Sequence, residues 1–141
     1  MKKILMIAAV ILMAVSCNKD QSAVKKLDGK WNVTKMLVTE DGKGIDLVAL
    51  GAVVEYSFNS CKLEDNEFCD VSMVMTLLGE STETFTGKFK VSGKGTVLTI
   101  ADAAATTESY TTFEIIELKS KTCNLKQTGT EGNIELEMEK K

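Results

Sequence analysis

The stretch FTGKFKVSGKGTVLTI, residues 85–100, decides the fold. From Phe85 to Val91 the odd positions are apolar and the even positions polar, which is the period of a strand with one buried face. Residues 92–95 read Ser-Gly-Lys-Gly and predict a turn, after which residues 96–100 resume an extended pattern. The stretch therefore predicts two antiparallel strands that share one apolar face.

The same period continues through the chain on both sides of this hairpin, and no crossover helix interrupts it. Fifteen threonines and no proline suit extended, paired strands. We predict eight strands, over residues 31–38, 53–59, 71–78, 85–91, 96–100, 108–118, 122–127 and 134–139. Two apolar segments lack the period, and both are predicted as loops, the first irregular or briefly helical: residues 45–50 and 101–106.

Eight consecutive strands with short turns form an up-and-down antiparallel meander. Closing the meander into a barrel removes both exposed edges, so an all-β, eight-stranded barrel is the predicted fold class. A two-sheet sandwich is the alternative, but sandwiches usually need longer connections between their sheets.

The composition excludes several classes of function. The 17 basic residues are all lysine, and histidine is absent, so neither a histidine-assisted nucleophile nor an ordinary zinc site is expected. An acidic chain without arginine is a poor candidate for nucleic-acid binding. We expect no catalysis, no cofactor and no bound metal.

The N-terminus predicts export. Lys2 and Lys3 precede an apolar run over residues 4–15, which is about a dozen residues and shorter than the ~20 of a membrane-spanning helix. Residues 14–17, Ala-Val-Ser-Cys, resemble the lipobox of bacterial lipoproteins, which implies that residues 1–16 are removed and that Cys17 is acylated, for example with palmitate. The alternative is an ordinary cleaved leader with a chance cysteine.

The lipobox resemblance implies a protein anchored by lipid to the outer membrane of a cell envelope, on its periplasmic or its surface face. Residues 17–26 are predicted as a polar lipidated tether, with at most a short helical turn, and residues 27–141 as the barrel domain. Residues 18–20, Asn-Lys-Asp, resemble in part a surface-export signal, with a plain tether as the alternative. Without the leader the net charge is about −5. Since anionic lipid repels acidic surfaces, we expect the acyl chains alone to attach the protein to the membrane.

The three remaining cysteines lie in a compartment where thiols tend to oxidise. Cys61 and Cys69 flank a polar segment suited to a hairpin loop, and we predict a disulfide between them. Cys123 alternates with Leu125, which predicts a buried free thiol. A bridge from Cys123 to Cys61 or Cys69 is the alternative, since spacing alone does not determine connectivity.

Residues 27–33, Leu-Asp-Gly-Lys-Trp-Asn-Val, resemble the Gly-x-Trp opening of lipocalins. Residues 87–93, 97–100 and 113–118 are similar to lipocalin-like lipoproteins of Bacteroidetes-type bacteria. The resemblance implies a structural role for Gly29 and for Trp31, which would plug the closed end of the barrel. Lipocalins often cover this ring with an arginine; here Lys140 or Lys141 would take that place.

The resemblance also implies a monomeric binding protein for a small apolar or amphipathic ligand. The residues predicted to line its cavity are Phe58, Met73, Met75, Phe85, Phe89 and Phe113. The alternative is that the same side chains meet and fill the barrel, which would then act as a structural or protein- or glycan-binding module at the cell surface.

Overall fold

A computed structural model describes residues 19–102 and 110–141. The described residues do not include the leader or Cys17. They also do not include residues 103–109, which belong to the predicted loop after residue 100 and to the start of the predicted sixth strand.

The described residues form one helix, α1, over residues 19–27, followed by nine strands. The strands are β1 (Gly29–Glu40), β2 (Lys43–Asp46), β3 (Val53–Asn59), β4 (Cys69–Thr76), β5 (Thr82–Ser92), β6 (Val97–Asp102), β7 (Tyr110–Leu118), β8 (Thr122–Thr128) and β9 (Asn133–Lys140). Each strand from β3 to β8 pairs antiparallel with the next, and β1 pairs with both β3 and β9. The predicted eight-stranded barrel is confirmed, and β2 is an additional ninth strand.

Strand β2 is the one strand that the sequence analysis does not predict. It pairs with the last residues of β1 through a two-residue turn in which Asp41 and Gly42 both have positive φ, 49° and 75°. Asp-Gly is a preferred pair for such a turn. Four-residue β2 escapes prediction because it has no buried face to produce a two-residue period.

Strand β4 is shifted relative to its prediction. It begins at Cys69 and ends at Thr76, so Leu77 and Leu78 belong to the turn that follows it. Leu78 has φ 51° and Gly79 has φ 73°, and the amide of Glu80 donates to the carbonyl of Leu77 at 3.0 Å. A run of apolar residues hid this turn, since leucine is an unusual residue at positive φ.

Helix α1 closes one end of the barrel, where the sequence pattern predicted a polar spacer. Ala23, Val24 and Leu27 lie on one helix face and are buried in the core. The Asp20 carboxylate accepts a hydrogen bond from the Gly95 amide at 2.6 Å, which ties the helix to the β5–β6 turn. The described residues thus close a barrel with its own core and its own end cap.

Trp31 lies directly under α1. Its side chain is fully buried, and its indole N–H donates to the carbonyl of Leu27 at 2.7 Å. The Lys140 ammonium lies 5.3 Å from the centroid of the indole ring, and it also donates to the carbonyl of Lys26. A lysine therefore covers the ring at the end of the last strand.

The predicted disulfide between Cys61 and Cys69 is confirmed, with the two Cα atoms 5.5 Å apart. Gln21 of α1 contacts the loop that this bridge closes: its amide donates to the carbonyl of Cys61 and accepts from the amide of Leu63, both at 2.9 Å. Cys123 is a buried free cysteine, as predicted, and burial raises the pKa of its thiol to about 12. The thiol is therefore protonated at neutral pH and a poor nucleophile.

Candidate functional site

The barrel interior changes character along its axis. In the half next to α1, the closed half, Trp31, Phe58 and Phe89 are fully buried. The Phe58 and Phe89 rings meet edge to face with centroids 5.1 Å apart. At the opposite, open end the inward side chains of Met36, Met73, Met75 and Phe85 are only partly buried.

A cavity of about 140 Å³ lies in this open part, and we call it the mouth cavity. Five strands, β3 to β7, contribute to it. Its lining consists of Tyr56, Met73, Phe85, Ile100, Thr111 and Phe113. Four of these side chains are purely apolar, and the other two each carry one hydroxyl, so the cavity suits an apolar group with few polar atoms.

The predicted ligand-binding residues divide between the two halves. Met73, Phe85 and Phe113 line the mouth cavity, whereas Phe58 and Phe89 are packed in the closed half. Met75 lies further along β4 towards the open end, and it is not part of the lining.

Sequence reasoning did not select Tyr56 or Thr111 as residues of the cavity. Tyr56 and Thr111 had a usable signal, because each lies two residues before a selected phenylalanine on the same strand. Residues two apart in a strand share a face, so both follow from the period once Phe58 and Phe113 are placed inside.

Tyr56 supplies a polar atom to the cavity. Its ring stacks on Phe58 with centroids 5.7 Å apart, and burial raises the pKa of the hydroxyl to about 12, so it is protonated at neutral pH. Within the part of the chain that the structure describes, this hydroxyl has no hydrogen-bond partner. Every fully buried side-chain oxygen or nitrogen in the described residues has a hydrogen-bond partner. Because the Tyr56 hydroxyl has none, it is not fully buried, and it is available as a donor.

Phe85 holds its place in the lining because residue 87 is glycine. A Cβ on Gly87 would lie 2.8 Å from Cζ of Phe85 and 2.3 Å from the carbonyl oxygen of Ala101. The missing side chain lets the Phe85 ring lie against the β5 backbone, and it lets β6 approach closely.

Exposed apolar side chains surround part of the open end. Leu50, Val53, Leu77 and Leu78 form this group, which we call the mouth rim. Val53 pairs with Thr76, which places the start of β3 beside the β4–β5 turn. Leu78 is 68% exposed although its positive φ disfavours a bulky residue, so a strained leucine is presented to solvent at the mouth.

Asp46 supports the loop that carries Leu50. Its carboxylate accepts hydrogen bonds from the amides of Met36 at 3.2 Å and Val48 at 3.1 Å. Backbone donors, Met36 first, lower the pKa of this carboxyl below its usual value. The loop is thus held by a charged acceptor at neutral pH.

A larger groove of about 410 Å³ lies between the end of β1 and the β8–β9 turn. Glycines and polar residues contribute most of its lining, including Glu40, Gln127, Gly129 and Thr130. It is larger than the mouth cavity but has few apolar side chains, so we assign the candidate ligand site to the mouth cavity.

Residues 19–102 and 110–141 also bear on metal binding and on membrane insertion. Over these ranges, no three histidine, cysteine or acidic side chains come together as a cluster able to hold a metal ion. No helix in the same ranges is long and apolar enough to cross a membrane.

No protein-family model matches the sequence, and no curated protein is significantly similar to it. Among solved structures, the chain is similar to a lipocalin-like protein from Bacteroides uniformis, with 18% identity and a TM-score of 0.53 over 82% of this chain and 99% of that one. It is also similar to an uncharacterized protein from Bacteroides eggerthii, with 16% identity and a TM-score of 0.52 over 80% and 98% of the two chains. The fold is therefore a lipocalin-like barrel, and both of these structural neighbours are Bacteroides proteins.

Proposed function

We propose that this protein is a non-catalytic, lipid-anchored binding protein of the cell envelope that holds the apolar end of a small amphipathic ligand in the mouth cavity. The observation that carries the proposal is an accessible apolar cavity with one unpartnered tyrosine hydroxyl, set at the mouth of an otherwise packed barrel.

The size of the cavity limits the ligand. Its volume of about 140 Å³ is close to that of an engineered apolar cavity that binds benzene, and it is below the ~300 Å³ at which pockets for drug-sized molecules begin. We infer that one ring or the end of an acyl chain enters, while the rest of the ligand crosses the mouth rim. The Tyr56 hydroxyl would donate to an oxygen of the ligand.

A neighbouring pair of residues on β4 tests this site. Met73 lines the cavity and Val74 faces outward, so Met73→Lys places a charge in the cavity while Val74→Lys adds the same charge outside. With the uncharged dye N-phenyl-1-naphthylamine as a fluorescent probe, we expect Met73→Lys to weaken binding at least about tenfold, because the ammonium would be desolvated by an apolar ligand. Val74→Lys should stay within about twofold of the unmodified chain.

Equal binding by the two variants would show that the dye binds elsewhere and would contradict the assignment. Absence of dye binding to the unmodified chain would favour the second candidate, a structural or protein- or glycan-binding module. The packing of Phe58 against Phe89 supports that candidate, since it leaves the closed half of the barrel filled.

The proposed anchor is tested separately. When the protein is expressed in a bacterium with a lipoprotein pathway, we expect the mature N-terminal peptide to begin at Cys17 and to carry acyl chains, as measured by mass spectrometry. Cys17→Ser should remove the acyl mass and shift the protein from the outer-membrane fraction to the soluble fraction. An N-terminus at another residue, without acyl mass, would contradict anchoring.

A further inference from the structure

The two ends of the barrel carry different charges. At the closed end α1 carries three lysines, the β5–β6 turn carries Lys94, and the β7–β8 turn carries Lys119 and Lys121. At the open end, the three turns β1–β2, β4–β5 and β8–β9 contain acids and no lysine: Asp41, Glu80 and Glu131. The β3–β4 connection at the same end is net acidic, with Lys62 against Glu64, Asp65 and Glu67, so the lysine excess is confined to α1 and the two turns beside it.

A groove of about 260 Å³ runs between α1, the β5–β6 turn and the end of β7, and we call it the basic groove. Lys19, Lys26 and Lys94 line it, and all three are exposed. Within the described part of the chain none of these three ammonium groups has an ion-pair partner. The one acid in the lining, Glu117, pairs with Lys119. The Asp20 carboxylate accepts a hydrogen bond from the Gly95 amide in the same lining, so the groove carries three lysines without ion-pair partners beside one such acid, which leaves a net positive charge.

The remaining lining of the basic groove is largely apolar. Ala23, Ile115, Ile116 and Leu118 contribute to it. The pairing of β7 with β8 shifts register between Ile115 and Glu117, and the extra residue, Ile116, is turned outward and is 56% exposed. An exposed isoleucine beside three lysines gives a surface that is both basic and apolar, as membrane-interface surfaces are.

We propose that the basic groove binds the headgroup phosphate of an anionic phospholipid and so docks the closed end of the barrel on the membrane surface. Charge complementarity and chain connectivity support this occupant. Lys19 is two residues from Cys17, so an acyl anchor at Cys17 is within about 7 Å of extended chain from the start of α1. The acidic turns of the open end would be repelled by the same surface.

This docking gives the protein one orientation, with α1 at the membrane and the mouth cavity directed away from it. The orientation relies on the proposed anchor at Cys17. The phosphate contact itself does not, since it requires only α1, β7 and the β5–β6 turn. From the net charge of the chain, we expected the acyl chains alone to attach the protein to the membrane. The basic groove would add an electrostatic contact to them.

Vesicle sedimentation with an unacylated chain starting at residue 18 tests the groove. We expect this chain to bind vesicles containing phosphatidylglycerol, and the combined change Lys19→Gln, Lys26→Gln and Lys94→Gln to weaken binding on the order of 100-fold. The matched control removes three lysines away from the groove, Lys35→Gln, Lys43→Gln and Lys88→Gln, and should weaken binding less than about fivefold. Thermal unfolding of each variant establishes that the barrel is intact.

Equal losses in the two triple variants would overturn the proposal, because the effect would then follow net charge alone. So would an absence of vesicle binding by the unmodified chain. The last measurement adds inorganic phosphate to the vesicle-bound protein. Release of the protein by phosphate, but not by chloride at equal ionic strength, would identify a free-phosphate site instead of a membrane contact. Dye binding in the mouth cavity and acylation of Cys17 are separate measurements, so their failure is distinguishable from failure of the groove.

Discussion

Replacing Trp31 with alanine is expected to lower the free energy of unfolding by about 3–5 kcal/mol. The side chain is fully buried, and it packs between α1 and the inward residues of the closed half. Alanine would leave a large cavity and would also leave the Leu27 carbonyl without its indole donor, at 2.7 Å in the native barrel. Urea unfolding of the chain starting at residue 18, followed by circular dichroism, measures the change.

Two further variants separate the contributions to this effect. Trp31→Phe retains most of the apolar volume but loses the N–H donor, so it should cost less than the alanine variant, about 1–3 kcal/mol. Lys140→Ala removes the ammonium that lies 5.3 Å from the ring centroid and should cost about 1 kcal/mol or less. A Trp31→Ala variant within about 1 kcal/mol of the unmodified chain would contradict the role of Trp31 as the end plug.

The second large effect is expected from removing the disulfide. Cys61→Ala should lower the free energy of unfolding by about 2.5 kcal/mol, since the bridge joins residues eight apart in sequence and restricts the unfolded chain. Changing Cys61 is the cleaner choice because Cys69 is buried and its side chain continues to fill the core. Loss of the bridge also loosens the loop whose Cys61 carbonyl and Leu63 amide bind Gln21 of α1.

Reduction supplies the control for this variant. In the presence of a thiol reductant the unmodified chain should lose the same stability, and its urea midpoint should then match that of Cys61→Ala. A difference that persists under reduction would mean that the alanine variant is destabilised by altered packing and not by the lost cross-link.

Much of the fold was predictable because a two-residue period reports directly which side chains point inward. Alternation in residues 85–91 and the short turns between strands were sufficient for the antiparallel barrel. The local bridge between Cys61 and Cys69 followed from a short polar loop between two strands. Helix α1 was missed because its buried face has only three residues, Ala23, Val24 and Leu27, within a polar segment.

The candidate site was predictable only in part. Phe58 and Phe85 have the same inward direction, yet Phe58 is packed in the closed half while Phe85 lines the mouth cavity. Periodicity distinguishes inside from outside, but it does not give the height of a residue along the barrel axis. That height depends on the stagger between strands, which is set when the barrel closes.

By itself the sequence determined the inward and outward faces of the eight predicted strands and the net negative charge, and it favoured the local bridge without determining it. The tertiary structure decided which inward side chains fill the barrel and which leave a cavity. It also decided where charge collects: α1 folds back onto the barrel and brings Lys19 and Lys26 beside Lys94, some 70 residues later in the chain. The net charge of a sequence does not say where on the surface its charges lie. Only the folded barrel therefore shows that an acidic protein carries a basic groove.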